Sequence, residues 1–262
     1  MLPVWEAPVC VWESVSTTHL YGVDFSGADH GGVHKIRIAS RSASGEVKVE
    51  RADRTTLIRM ILESARGGDS HVWRIDAPAG IPLQTLRAHG VTENWLASAR
   101  WSAEAGSPRA WRTRLREVSR EEPRRQTDGE ARTPMAPMNL RVFKQTWTLL
   151  CEVLLPLHEQ GISIAPMAAT NSRTTVCEGC PASVLARLGW PVRGYKGEGE
   201  PPQRVRGLIA RRLIEIGIPI TPALMKKVVE DTEGDVLDAL ILLTAPSQTV
   251  IPASALVEGW VY

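Results

Sequence analysis

The chain is poor in several things, and each shortage narrows what it can be. Its 262 residues hold only four cysteines, Cys10, Cys151, Cys177 and Cys180, too scattered to form a disulfide framework. Charge of one sign is also lacking: a formal net charge of +2 argues neither for nor against a nucleic-acid partner. Lysine is scarce, 6 against 25 arginines. That ratio would suit phosphate forks, and a coding bias towards arginine explains it equally well. There is no run of about 18 apolar residues and no charged start leading into an apolar signal core. A cytoplasmic, soluble protein with no membrane partner is therefore expected.

What is present is a 43% hydrophobic composition over 262 residues, enough for one large domain or two small ones, and a single domain over 1–262 with an insertion is expected. YGVDFSGADH (21–30) has the two-residue period of a strand. Tyr21, Val23 and Phe25 point one way, and Gly22, Asp24 and Ser26 the other, so Asp24 sits on a small-residue face with room beside it. VHKIRIAS and VKVER flank the turn SASGE and read as a hairpin. Asp53 caps a helix striped with Leu57, Ile58, Ile61, Leu62 and Ala65, and Gly67-Gly68 ends it. HVWRID (71–76) is then a strand reached by a helical crossover, which should lie parallel to its partner.

The middle of the chain changes character. From about 84 to 138 the periodicity is helical but interrupted, with a start at Ser107-Pro108 and a stop at Pro123, longer than an ordinary connection. Between Arg109 and Arg132 eight arginines face five acidic residues, with Trp111 among them. This is either an electrostatic footprint for a phosphate chain or a solvated helix face. Beyond it, helices are expected at 140–157, 181–188, 204–216, 222–230 and 234–245, with a short strand ending at Glu178.

Carboxylates at strand ends carry the chemical signal. VDFSG and IDAPAG each place an aspartate, Asp24 and Asp76, at the carboxyl end of an apolar strand, where sheets with parallel neighbours bind ligands. Asp235 and Asp238 stand three apart on the last helix. Asp235 suits a first helical turn, whereas Asp238 lies deeper among apolar residues, where a bare carboxylate is costly. Glu178 also falls at a sheet edge, and its neighbours Cys177 and Cys180 form a lone Cys-x-x-Cys that supports zinc only weakly. Such a set would repel itself without a bound cation, and hard oxygen donors select magnesium or manganese. Asn139, Arg141 and Gln145 open a helix and could hold a phosphate or base edge, or simply cap it. Lys196, in a glycine-flanked loop, could pair with the acids or meet a substrate phosphate. His30 and His34 flank the exit of the first strand.

An Asp on the first strand, an acid on the fourth and a final Asp-x-x-Asp-Ala-Leu helix resemble the ribonuclease H-like superfamily. More closely, GVDFSGA, IDAPAGIP, NLRVFKQTW, EGCPASVL, YKG and GDVLDAL, in this order, resemble the family catalogued as domain of unknown function number 429, described as predicted ribonuclease H-like nucleases. The resemblance spans about Tyr21 to Ala245. It implies an α/β fold: a mixed five-stranded sheet flanked by helices, strand one beside strand four, with a helical insertion after the fourth strand. It further implies a metal-dependent nuclease acting on nucleic acid, with Asp24, Asp76 and Asp238 in the superfamily's acidic positions, Asp235 in the earlier position of the last helix, and Glu178 in the family's Glu-x-x-Pro. Two other functions fit the residues. One is an actin-like nucleotide phosphotransferase, whose glycine turns DFSG and DAPAG would grip phosphate. The other is a binding module without catalysis that works through the arginine-rich insertion.

Overall fold

The computed structural model describes residues 18–29, 34–244 and 250–262. Cys10, His30 and Ala245 lie outside them. Six strands form one mixed sheet in the order β3-β2-β1-β4-β6-β5. The chain begins with β1 (Thr18–Asp24), β2 (Ile36–Arg41) and β3 (Val47–Ala52), which meander antiparallel. The helix α1 (Arg54–Ser64) then carries it across the sheet to β4 (Ser70–Asp76), parallel to β1. Asp53 caps α1 as its sequence requires, accepting from the Thr56 N–H at 2.7 Å.

The insertion follows: α2 (Leu83–Ala88), α3 (Trp95–Ala103), α4 (Pro108–Val118) and α5 (Gln126–Glu130). The long apolar helix comes next as α6 (Phe143–Thr148), a π-helical stretch (Leu149–Leu154) and α7 (Leu155–Glu159). Pro156 has no N–H to return to Glu152, and the Leu155 N–H reaches back to the Leu150 oxygen, five residues away. The remaining elements are β5 (Ser163–Ala165), β6 (Thr174–Glu178), α8 (Pro181–Arg187), α9 (Glu200–Glu215), α10 (Pro222–Glu230), α11 (Asp235–Ile241) and α12 (Ala255–Glu258). Both β5 and β4 flank β6 in parallel. The sheet thus has one strand more than the five expected. The extra strand, β5, is only three residues long and runs straight into Pro166, so it leaves almost no alternating pattern to read.

Two cores cover the two faces. Val23, Ile38, Trp73, Ile75 and Val176 pack with Leu57 and Ile61 of α1, with Leu150 and Val153, and with Trp95 and Trp111 of the insertion. On the other side Ala39 and Val47 meet Val184, Ile209, Leu213, Val228, Leu237 and Leu240 of α8 to α11. Trp111 is fully buried, so it is a core residue and not a stacking platform among arginines. The arginines around it are also largely committed. Arg112 and Arg116 pair with Glu122, and Arg114 pairs with Glu104 while lying over the Trp101 ring. Among the described residues no helix is long and apolar enough to cross a membrane.

Candidate functional site

Strand alternation puts Gly22, Asp24, Arg74 and Asp76 on the α11 side of the sheet. Asp24 and Asp76 are direct register partners on parallel neighbours, so their side chains stand side by side at the carboxyl ends of β1 and β4. The space beside Asp24 is not empty, because α11 fills it. A Cβ added at Gly22 would lie 2.1 Å from the Ala239 carbonyl oxygen and 2.7 Å from the Leu242 Cβ. Glycine at 22 therefore lets the backbone of α11 lie directly on β1, which carries Asp238 to the two strand-end acids. The far end of α11 is held by the buried Arg74, which donates to the Leu242 oxygen at 2.9 Å and to the backbone oxygens of Thr244 and Tyr262. Its near end is capped by Asp231, which accepts from the Val236 N–H at 2.7 Å.

Asp238 is buried and fully engaged. The Tyr195 hydroxyl donates to Oδ1 at 2.8 Å, and Lys196 Nζ lies 2.6 Å from Oδ2. The loop bearing these partners hangs on the buried Arg206 of α9, which donates to the Tyr195 and Gly197 oxygens at 2.7 and 3.0 Å and also to the Val229 oxygen. Lys196 thus pairs with the acidic cluster, one of the two roles its sequence suggested. Arg37, opposite Asp24 in register, donates to the backbone oxygens of His34 and Ile36.

The acids raise one another's pKa. Burial, then Asp238, Asp235 and Asp76, hold Asp24 well above the ordinary carboxylate range, with Lys196 opposing. Burial followed by Asp238 pushes Asp76 up to about 8. Asp238 is also raised, because burial outweighs the help of Lys196 and Tyr195. Asp235, less deeply set, is raised by burial and by Asp231. Burial works against the charge on Lys196, yet Asp238, Asp24 and Asp76 together push its pKa up.

No family model, curated protein or solved structure matches the chain. The site therefore has to be read from its own geometry.

Glu178 ends β6 in register with Ile75, the residue before Asp76, so its side chain leaves the face of the sheet opposite the aspartates, and it differs from them in kind. Arg125 grips both of its oxygens at 2.6 Å in a bidentate fork, and the Ala79 N–H donates to it at 2.8 Å. The same guanidinium holds Asp128 and the Glu258 backbone oxygen. A guanidinium with no solvent exposure thus neutralises Glu178 through both oxygens, which makes it a structural anchor and not the metal ligand expected from its place at the sheet edge, whereas the ammonium on Asp238 is half-exposed and can turn away to solvent. Gln145 does reach the site: its Nε2 donates to the Phe25 oxygen at 2.7 Å, one residue past Asp24. Asn139 turns instead to Glu122 at 3.0 Å and accepts from the Arg141 N–H, the capping alternative, and Arg141 is exposed. Sequence reading missed Tyr195, Arg206, Arg74 and Arg125. Only Tyr195 had a visible cue, as the first residue of the YKG stretch.

Proposed function

We propose that the chain is a divalent-metal-dependent phosphodiesterase acting on nucleic acid, built on a ribonuclease H-like fold of the kind the ordered motifs resemble. Topology supports the fold: three antiparallel strands lead into parallel neighbours, with β1 beside β4, and β5 is an addition at the edge. One observation carries the function. Asp24 and Asp76 stand in register, α11 lays Asp238 across them, and all three have raised pKa values. Three acids that resist ionisation together, while Lys196 contacts only Asp238, form a donor set short of positive charge.

That donor set suits a hard cation in kind, since every donor is a carboxylate oxygen, but the three oxygens do not all lie within 4.8 Å of one another, so holding an ion here would require the side chains to turn or waters to bridge. Magnesium or manganese held by Asp24, Asp76 and Asp238, with Asp235 beside them, would supply a Lewis acid and a readily ionised water. The residues have their own tasks. Tyr195 and Lys196 fix the rotamer of Asp238 from two sides. Lys196, whose side chain is 53% exposed, can also offer its ammonium to a phosphate oxygen at the rim. Gln145 pins the Phe25 carbonyl and keeps the loop after Asp24 in place.

Both glycine turns of the phosphotransferase reading are filled by the chain itself. A Cβ at Gly27 would meet the Gln145 backbone nitrogen at 2.6 Å, and one at Gly80 the Glu258 oxygen at 2.3 Å. The binding-module reading keeps only part of its basic surface, since Arg112, Arg114 and Arg116 are ion-paired while Arg109, Arg120 and Arg132 stand exposed.

The test is incubation with manganese and single-stranded, duplex, hybrid and branched nucleic acids. Cleavage should depend on the ion and fall by at least about a hundredfold in Asp24→Asn and Asp76→Asn, consistent with the loss of metal-held electrostatic stabilisation. Equal cleavage by the wild-type chain and Asp24→Asn would sink the proposal.

A further inference from the structure

The strands that carry the acidic cluster at their carboxyl ends bring a second set of ligating side chains together at the other end. His19 on β1 and His71 on β4 are register partners, and their rings stack with centroids 4.6 Å apart. Asp69, just before β4, places Oδ2 3.6 Å from the His19 Nε2. One ligand atom from each of the three lies within 4.8 Å of the other two, a property found for this group alone among the described residues.

We propose that His19, Asp69 and His71 form a binding site for a borderline divalent transition ion such as zinc, separate from the carboxylate cluster and independent of its function. His71 is more than nine-tenths buried, and its Nδ1 is engaged by the Tyr21 hydroxyl at 3.2 Å. A metal-binding histidine characteristically spends one ring nitrogen on such an outer partner, which fixes the ring and leaves the other nitrogen for the ion. Tyr21 is itself clamped flat against Trp73, centroids 3.8 Å apart. Two imidazoles and one carboxylate suit zinc, cobalt or nickel better than magnesium, and three protein ligands leave a further position open.

Closure requires the His19 ring to turn out of its stack, because the two rings are only 16° from parallel and their in-plane lone pairs do not converge. Ligands about 2.0 to 2.1 Å from an ion stand roughly 3.3 Å apart in tetrahedral geometry. The more exposed His19 and Asp69 side chains can rotate inward while the buried His71 stays fixed. Stacking of the two imidazoles does not by itself require a carboxylate, whereas here an aspartate completes the set from the strand entrance. His19 and Asp24 are five residues apart on one strand, about 16 Å, so neither site can borrow the other's ligands.

Titrating the full chain, free of any affinity tag, with cobalt chloride tests this. The expected result is one ion per chain that gives the visible absorption characteristic of a four- or five-coordinate nitrogen-containing site and is displaced by zinc, distinct from any cobalt held by the carboxylates, whose all-oxygen octahedral set absorbs only weakly. His19→Gln and Asp69→Asn, both at accessible positions, should weaken binding by at least tenfold with an unchanged far-ultraviolet spectrum. Tyr21→Phe, which removes only the outer partner, should weaken it by about tenfold. Asp24→Asn should keep the absorption of the nitrogen-containing site whatever it does to cobalt at the carboxylates, so failure of the phosphodiesterase reading would leave this result standing. No such cobalt absorption, its affinity unchanged in His19→Gln and Asp69→Asn, or its loss in Asp24→Asn would each overturn the proposal.

Discussion

Glu178 and Asp76 end neighbouring strands, and both are acids followed by small residues, yet they live in opposite electrostatic worlds. Glu178 lies in a guanidinium fork with both oxygens matched, and Asp128 shares the same arginine. Burial opposes the charge on Arg125, but Glu178 and Asp128 overcome it and hold the arginine ionised. Asp76 has acids for neighbours and only the distant help of Lys196, and its pKa is raised to about 8. A carboxylate already matched by an internal cation is a fastener. One left short of positive charge is available to an external cation. Within a single sheet, one position is closed by its internal partner and the other is left without one.

The largest expected effect tests the fastener. Arg125→Met should destabilise the chain by about 3–5 kcal/mol, because it leaves Glu178 and Asp128 buried without their cation. Urea denaturation at neutral pH measures it. Glu178→Gln should cost less, since an amide keeps the shape and one acceptor. A loss below about 1 kcal/mol in Arg125→Met would erase the distinction between the two regions.

The strand-end acids were legible in the sequence because a strand alternates with period two, so a charge set among apolar residues stands out. So were α1, α4 and α10, whose caps Asp53, Ser107 and Thr221 each accept a backbone N–H from the first turn. What each acid meets was not legible. Arg125 lies 53 residues from Glu178, and Tyr195 43 from Asp238, so the partners are set by packing that no local pattern records. This is why Glu178 read as a ligand and the arginines of the insertion read as a free surface. Gly22 was visible as a small residue, but that its missing side chain admits the backbone of α11 is a fact of tertiary structure.

Next in size is Gly22→Ala. The added methyl would overlap the Ala239 carbonyl at 2.1 Å, a backbone atom that cannot swing aside. A cost of about 1–3 kcal/mol or more is expected, through displacement of α11 from β1. Gly67→Ala, with nothing within 4 Å of the new methyl, should be neutral and serves as the control. Because α11 carries Asp238, cleavage should fall further in Gly22→Ala than its lost stability explains. The Arg125 and Glu178 variants should show no such excess, which sharpens the contrast between site and fastener.

A smaller effect appears in the pH dependence. A carboxyl whose folded pKa lies above its unfolded value binds more protons when folded, so its stability contribution is present at low pH and fades as pH rises through the folded value. For Asp76 that window runs from about 4 to about 8. Stability should therefore decline across it, and Asp76→Asn should flatten the decline. Asp76 keeps partial contact with solvent, and screening there holds the expected gain at pH 8 to on the order of 1–2 kcal/mol. Thermal melts at pH 5 and pH 8 measure it, and a wild-type chain no less stable at pH 8 would contradict the charge-poor picture of Asp76.

The smallest change sought is in Lys196→Met. Its side chain is 53% exposed, so despite the 2.6 Å approach to Asp238 the pair should contribute no more than about 1 kcal/mol to stability. Its effect on titration should be clearer, because Lys196 is the cation that lowers Asp24, Asp76 and Asp238 alike. Removing it should raise all three carboxyl pKa values, readable by carbon-13 NMR of labelled aspartate. If Asp238 alone responds, Lys196 is a local partner of one acid. If all three respond together, the acids share one field, which is the electrostatic condition for holding a common ion.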